Sequence, residues 1–278
     1  MKIKYFGTSA AEGVPGLFCD CEVCRYSSEH GGRNIRTRSQ ALINDKILID
    51  LPPDTLYHVQ HLGLKLHEIK HLFITHSHSD HLHAADLLEK RAGHACEKFN
   101  KVPITVHGSM PTIDKVFTEI RKVADITMGH WILNELEPYK SIEVESHVVT
   151  PYKANHAFAL HPFFYSVNDG DKSLLYAHDT GYLLEETFEK FRENKEFFNL
   201  ISLDCTAGLK ENVSDHHMSL DVCKKLRERL ISEGFADSST LFILNHFAHN
   251  GLCTYDSLLP IAEQEGFMVS FDGMEVEF

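Results

Sequence analysis

Short apolar segments rich in β-branched residues alternate with amphipathic segments along the chain. The apolar segments predict strands at IKYFG, QALIND, KILIDL, HLFIT, PITVHG, FFYSV, SLLYAHD, FFNLISLD and TLFILNH. The segments with helical periodicity predict helices at PDTLYHVQHLG, LHAADLLEKRAG, PTIDKVFTEIRKVAD, LEETFEKFRENK and SLDVCKKLRERLISEG. Since no repeat, low-complexity segment or linker divides the chain, we predict one α/β domain over residues 1–278, with packed sheets covered by helices.

The composition is typical of a globular protein, with 43% hydrophobic and 24% charged residues. The apolar runs are too short to cross a bilayer, and the start MKIKYFGTSAAEG lacks the apolar stretch of a secretory signal. We therefore expect a cytoplasmic protein with no membrane partner. The net charge of −13 and the absence of a basic run disfavour binding to a long nucleic acid.

Three of the seven cysteines lie within six residues, in the segment CDCEVC. An odd number of cysteines, with the other four scattered, does not indicate a disulfide framework. In a reducing compartment such a cluster favours metal binding, although three thiolates are one ligand short of a closed tetrahedral zinc site. The alternative is a loop of reduced thiols without a ligand.

The strongest chemical signal is FITHSHSDHLH, in which an apolar strand leads into His76, His78, Asp80 and His81. Turns after a strand direct successive polar side chains into one space, and three imidazoles with a carboxylate there suit a divalent metal ion. His83 follows at the predicted start of a helix, and we interpret it as a surface or packing residue.

Three further segments also end a strand with a residue of ligand type, namely His156 in YKANHAF, Asp179 in LLYAHDTGY and His246 in LFILNHFAH. Each alone is typical of a buried polar group with hydrogen-bond partners. Together with the first motif, and in this order, they resemble the ligand pattern of the metallo-β-lactamase superfamily of binuclear metallohydrolases. The resemblance implies an αββα sandwich of two mixed sheets flanked by helices.

The resemblance also implies how the ligands divide between two metal ions. The first ion would be held by His76, His78 and His156, and the second by Asp80, His81 and His246. Asp179 would bridge both ions, and Asp50, at the end of KILID, would support the ligand loop. A bridging carboxylate at this position is typical of phosphodiesterases, lactonases and thioesterases of the fold, whereas true zinc β-lactamases commonly carry a cysteine. Nitrogen and oxygen ligands leave zinc, manganese and iron as candidates.

The cysteine cluster gains a fourth ligand candidate in NHFAHN, where His249 follows His246 by three residues. Cys19, Cys21, Cys24 and His249 would form a complete structural zinc site. The cluster after a glycine-rich opening, this histidine, and the ending SFDGMEVEF resemble the phosphodiesterase family of the carbon-phosphorus lyase pathway. The likeness is weakest between residues 83 and 145, where we match no functional residue. The remaining cysteines are interpreted as inert packing residues: Cys96, Cys205, Cys223 and Cys253.

The same resemblance assigns His217, in SDHHMSL, to the phosphate and to proton donation to the leaving group, and His216 is a weaker candidate. His178 is expected on the opposite face of its strand from Asp179. The predicted activity is hydrolysis of a small linear or cyclic phosphodiester by a hydroxide that bridges two metal ions, with Asp80 and His217 as catalytic residues. The alternatives are a lactonase or thioesterase of the same fold and a non-catalytic metabolite-binding accessory protein. A homodimer is also expected from the resemblance.

Overall fold

The computed structural model describes residues 1–122, 129–211 and 214–278. Its first sheet has seven strands in these ranges. In spatial order, the first four strands pair antiparallel, and the fourth to seventh run parallel. In spatial order the strands are β14 (Glu275–Glu277), β1 (Lys2–Gly7), β2 (Gln40–Ile43), β3 (Ile47–Ile49), β4 (His71–Phe73), β5 (Ile104–Gly108) and β6 (Trp131–Glu135).

The second sheet also has seven strands within the described ranges and repeats this mixed pattern. In spatial order, the first four strands run parallel, and the fourth to seventh pair antiparallel. In spatial order they are β13 (Met268–Val269), β12 (Leu241–Asn245), β11 (Leu200–Asp204), β10 (Ser173–Ala177), β9 (Phe163–Asn168), β8 (His147–Lys153) and β7 (Ile142–Val144).

The helices lie outside the two sheets. They are α1 (Glu22–His30), α2 (Thr55–His61), α3 (Glu97–Asn100), α4 (Met110–Ile120), α5 (Glu185–Asn194), α6 (Leu220–Ser232) and α7 (Tyr255–Gln264). The segment predicted as a helix over 82–93 forms a 3₁₀ helix over Ala84–Lys90. The helix predicted over 111–125 ends at Ile120 in the structure, and its residues 123–125 lie outside the described ranges.

Three clusters of buried apolar residues hold the sheets and helices together in layers. The first fills the space between the sheets, where Phe73 of one sheet meets Tyr165 of the other edge to face, with ring centroids 5.5 Å apart. The second joins the second sheet to α5, α6 and α7, and the third joins the first sheet to α4. Because each sheet is apolar on both faces, it needs a helix layer on one side and its partner sheet on the other.

This arrangement brings the carboxyl ends of parallel strands to one edge of the sandwich. Strands β3 and β4 are parallel neighbours, so Asp50 and the segment from Thr75 leave the first sheet at the same edge. Strands β10, β11 and β12 are parallel as well, so Asp179, Asp204 and His246 leave the second sheet together. The polar residues that end these strands therefore meet without any large excursion of the chain.

Candidate metal centre

Sharp backbone turns aim the polar side chains at the strand ends. Asp50, Asp179 and His246 each follow a strand closely and adopt left-handed backbone angles, with φ of 67°, 50° and 62°. Residues other than glycine rarely adopt this conformation, because the Cβ atom crowds the backbone. Three such turns at one edge of the sandwich indicate that the fold maintains local strain to hold this cluster of side chains.

The first group of donor atoms joins three imidazoles to Asp179. Nε2 of His76 lies 2.8 Å from Nδ1 of His78, which in turn lies 3.4 Å from Nε2 of His156. Oδ2 of Asp179 is 3.1 Å from Nε2 of His76 and 3.4 Å from Nε2 of His156. Two nitrogens bound to one tetrahedral zinc ion would lie about 3.3 Å apart, so these separations suit a shared cation.

The second group of donor atoms shares the same oxygen of Asp179. Nε2 of His81 lies 3.1 Å from Oδ2 of Asp80, 3.2 Å from Oδ2 of Asp179 and 3.4 Å from Nε2 of His246. The structure thus brings all seven predicted ligands of the metal pair into two adjoining groups that meet at Asp179. Imidazole nitrogens and carboxylate oxygens that converge in this way fit two divalent cations.

The protonation of His76 and His156 also fits this use. Burial lowers the pKa of His76, and it lowers the pKa of His156 to about 4. Both rings are therefore neutral near pH 7. Neutral imidazole is the form that offers a lone pair to a metal ion.

Asp50 lies where the sequence placed it, behind the ligand loop. Its carboxylate accepts hydrogen bonds from Nδ1 of His81, at 2.7 Å, and from the backbone N–H of Thr75, at 2.8 Å. Burial lowers the pKa of His81, but the charges of Asp80 and Asp50 outweigh it and raise this pKa well above its usual value. The hydrogen bond to Asp50 orients the ring of His81 so that Nε2 faces the second group, where a bound metal ion would displace the proton that the carboxylates favour on it.

Asp204 is a site residue that the sequence analysis missed. Its buried carboxylate accepts hydrogen bonds from the backbone N–H of Asp179 and Met218 and from both the N–H and the hydroxyl of Thr206. One of its oxygens also lies 3.2 Å from Nδ1 of His246. The available signal was the segment FFNLISLD, which ends in an aspartate as SLLYAHD does.

His217 reaches the same site from the loop before α6. Its Nδ1 atom lies 3.4 Å from a carboxylate oxygen of Asp179 and 3.4 Å from one of Asp204. Burial lowers the pKa of His217, but the hydrogen bond to Asp204 and the charges of both carboxylates raise it to about 9. His217 also lines a cavity of about 380 Å³ together with His78 and Asp80, so its ring is accessible to a bound substrate.

The other histidines singled out in the sequence lie outside this cavity. His83 is exposed and pairs with Asp86 at 3.0 Å, as expected for a surface residue. His216 lines a neighbouring cavity on the other side of His217. His178 is buried, and its Nε2 atom lies 2.7 Å from the hydroxyl oxygen of Ser202.

One prediction about the cysteines is wrong. Cys205, Cys223 and Cys253 are buried as expected for packing residues, but Cys96 is exposed. Cys96 immediately precedes the short helix α3, in a surface segment outside the apolar clusters, so it has no core to pack into.

The predicted zinc ligands of the opening loop also come together. Nδ1 of His249 lies 3.5 Å from Sγ of Cys19 and 3.6 Å from Sγ of Cys21, and Cys24 completes the group. Sulfur and nitrogen atoms on one tetrahedral zinc ion would lie about 3.6 Å apart. Burial opposes ionisation of Cys21, but hydrogen bonds from the backbone N–H of Cys24 and from His249 lower its pKa to about 6.

Gly16 makes room for the cysteine group formed by Cys19, Cys21, Cys24 and His249. A Cβ atom at Gly16 would lie only 3.3 Å from Cβ of Cys19 and 3.3 Å from the ring of His249. The close approach of this backbone explains why glycine precedes the cysteines. The donor set of three thiols and one imidazole fits a closed structural zinc site.

Comparison with known proteins places this architecture in a family. The family model described as the beta-lactamase superfamily domain matches residues 45–233, which is more than half of the chain. The chain belongs to the β-lactamase superfamily. The superfamily match includes the segment from His76 to His217, but it does not extend to the cysteine cluster or to His246.

The chain is also similar in sequence or in fold to individual proteins. The chain is 26% identical over 176 residues to a ribonuclease Z from Listeria monocytogenes, which covers 62% of the chain and 50% of that relative. Its fold is similar to a diphosphatase of the PhnP family, with a TM-score of 0.74, 20% identity and coverage of 100% and 98%. It is also similar to zinc-bound PqqB from Methylobacterium extorquens, with a TM-score of 0.77, 17% identity and coverage of 100% of both chains.

These comparisons confirm the predicted superfamily and the predicted αββα sandwich of two mixed sheets. The chain spans half or less of the length of the curated relatives it matches. In the described residues, no helix combines the length and apolar character needed to span a bilayer.

Proposed function

We propose that the chain is a binuclear metal-dependent phosphodiesterase that hydrolyses a small phosphodiester. The observation that carries this proposal is the position of His217. Its ring lies beside Asp179, the carboxylate common to both donor groups, and lines the same cavity as His78 and Asp80. The related proteins named ribonuclease Z and diphosphatase support the proposal, since both names describe hydrolysis at phosphorus.

The two donor groups would each hold one divalent ion. His76, His78 and His156 would hold the first, Asp80, His81 and His246 would hold the second, and Asp179 would bridge them. When bound, such a pair supplies a water nucleophile of near-neutral pKa and offsets the charge of the phosphate. The nitrogen and oxygen donors suit zinc or manganese, with iron as a further candidate.

His217 would act as the proton donor to the departing oxygen. Its Nδ1 atom is turned toward Asp204 and Asp179, so Nε2 is the atom left to donate. An alkoxide is a poor leaving group, and a positioned acid typically contributes about 10² to 10⁴ in rate. Hydrolysis of a lactone or thioester does not require such an acid on the phosphate side, so His217 favours phosphodiesters over carbonyl substrates.

The cavity favours a small substrate. Its volume of about 380 Å³ lies at the lower end of the range for small-molecule sites. The net charge of −13 would repel a long polyanion, whereas divalent ions would reverse the field locally for one phosphate group. Lys210 adds a positive side chain to the cavity wall.

The cysteine group would serve a structural role. It would hold a third ion, zinc, which would connect the opening loop at Cys19, Cys21 and Cys24 to His249. His249 lies three residues beyond His246, so this ion would also support the end of β12 at the catalytic site. A structural zinc site contributes directly to folding free energy.

The experiment measures hydrolysis of bis(p-nitrophenyl) phosphate by the purified protein with manganese or zinc. Turnover should require added metal and should fall at least 10³-fold in Asp80→Ala, whereas His83→Ala, which changes an exposed histidine outside the cavity, should match the parent. A panel of lactones and thioesters tests the carbonyl alternative. Faster turnover of any carbonyl substrate than of every phosphodiester would contradict the proposed class, and no turnover of any substrate would favour a metabolite-binding accessory role.

A further inference from the structure

The ligand loop between His76 and Leu82 has an attachment that the sequence did not reveal. Lys115 lies on α4, and its ammonium group donates hydrogen bonds to the carbonyl oxygens of Ser77, at 2.6 Å, and of Leu82, at 3.1 Å. In the part of the chain that the structure describes, neither carbonyl accepts a backbone N–H. One side chain therefore satisfies both ends of the loop.

We propose that Lys115 is a positioning residue that clamps the ligand loop and thereby strengthens metal binding at the second donor group. His78, Asp80 and His81 all lie between the two carbonyls that Lys115 holds. Two of these three residues belong to the second group, whereas the first group receives only one of them. Loosening the loop should therefore weaken the second site more than the first.

The support for this clamp is rigid. On α4, Val116 and Ile120 are fully buried against the first sheet, so the helix cannot move without opening that core. The helix also packs against the 3₁₀ helix over Ala84–Lys90 that continues from the ligand loop. Lys115 therefore connects the ligand loop to a helix that the apolar core holds in place.

The charge of Lys115 acts in the opposite direction from its hydrogen bonds. An ammonium group close to Asp80 repels a cation at the same carboxylate, so removal of the charge alone would tighten metal binding. Loss of the two hydrogen bonds from Lys115 would instead weaken metal binding. The sign of the change in affinity therefore separates positioning from simple electrostatics.

The test is calorimetric titration with Zn²⁺ of the full-length protein, dialysed against a chelator that empties the metal pair but leaves the ion of the cysteine group in place. Lys115→Met should weaken one binding equivalent by about 10- to 100-fold, the usual effect of losing a residue that supports metal ligands. Lys115→Arg keeps donors for both carbonyls and should stay within about threefold of the parent. Lys90→Met is the matched control, because Lys90 is also partly buried and donates to a carbonyl, that of Phe99, away from the ligand loop.

A double-mutant cycle assigns the weakened equivalent. In an Asp80→Ala background the second group is already broken, so Lys115→Met should cause little further loss. The proposal is overturned if Lys115→Met binds as tightly as the parent or more tightly, if Lys90→Met weakens binding equally, or if the loss persists in full with Asp80→Ala. If Lys115→Met does not fold, weakened binding in Lys115→Arg with a native circular dichroism spectrum would also overturn it.

This inference rests on the proposed metal pair but not on phosphodiester chemistry. Failure of the proposed reaction would appear as normal zinc binding without turnover, and the Lys115 comparison would still hold. Failure of the clamp would appear as unchanged zinc binding in Lys115→Met, with turnover intact.

Discussion

Replacement of Asp204 by asparagine tests the support beneath the candidate metal centre. The carboxylate accepts two bonds on each oxygen, at 2.9 and 3.1 Å on both. An amide must place its NH₂ group on one side or the other, where it meets at least one backbone N–H, from Asp179 on one side or from Thr206 and Met218 on the other. Asp204→Asn therefore loses hydrogen bonds whichever way the amide turns.

The expected cost follows from the number of bonds lost. A hydrogen bond to a buried charged group contributes about 1.5 to 3 kcal/mol, and loss of one partner from a buried ion pair costs about 3 to 5 kcal/mol. Since Asp204 also pairs with His217 and His246, we expect Asp204→Asn to lower the free energy of unfolding by about 3 to 5 kcal/mol. That loss is a large fraction of the stability of a typical domain.

Urea unfolding followed by circular dichroism and by the fluorescence of Trp131, the one tryptophan, measures this loss. Asp171→Asn is the control, because Asp171 is exposed in the turn between β9 and β10. The control should change stability by less than about 0.5 kcal/mol. A loss below about 1 kcal/mol in Asp204→Asn would refute the reasoning, since the loss of a hydrogen bond to a buried charged group together with its two histidine ion pairs cannot cost so little.

Three further variants separate the roles of the remaining residues. His217→Ala should slow hydrolysis of dialkyl phosphates by about 10² to 10⁴. It should affect the p-nitrophenyl diester less, because a good leaving group needs little protonation. Equal losses of the two activities in steady-state kinetics would contradict the acid role. Cys21→Ser should lose about one metal equivalent by elemental analysis and unfold at a lower temperature, and an unchanged metal count would exclude the zinc site. Asp50→Asn should weaken zinc binding by about 10- to 100-fold in chelator competition, because the amide must turn its NH₂ group toward either Nδ1 of His81 or the backbone N–H of Thr75. Unchanged affinity would contradict that role.

The sequence predicted the central strands because their signal is local. Each of the nine predicted segments overlaps an observed strand, since continuous apolar runs are required where both faces of a sheet are covered. Strands β6 to β8 and the short strands β13 and β14 were missed. Ile132 in β6 is about half exposed, and Pro151 interrupts the pattern of β8, which tolerates it because the short β7 pairs only with residues 147–149 and leaves Pro151 at an edge.

Two of the helices that the sequence did not predict, α1 and α7, escaped prediction for reasons that are also local. The helix α1 begins directly after Cys21, so its residues were read as part of the cysteine cluster. The helix α7 contains Pro260, which argues against a helix in sequence, yet the structure begins it with a hydrogen-bonded cap between Thr254 and Ser257.

The residues of the candidate site also divide into those with a local sequence signal and those without one. His76, His78, Asp80 and His81 form one short motif, so their spacing alone carries the signal. Lys115 was missed because its partners lie 38 and 33 residues away, and Asp204 was missed because its role depends on contacts with other strand ends. Such support depends on tertiary structure, which spacing in the sequence does not encode.

The account depends most directly on the positions of bound ions, and anomalous X-ray diffraction from crystals of the native protein measures these. We predict two metal peaks about 3.5 to 4 Å apart on either side of the Asp179 carboxylate, and a third peak within the group formed by Cys19, Cys21, Cys24 and His249. Crystals of metal-replete protein without a pair of peaks at Asp179 would contradict the central claim.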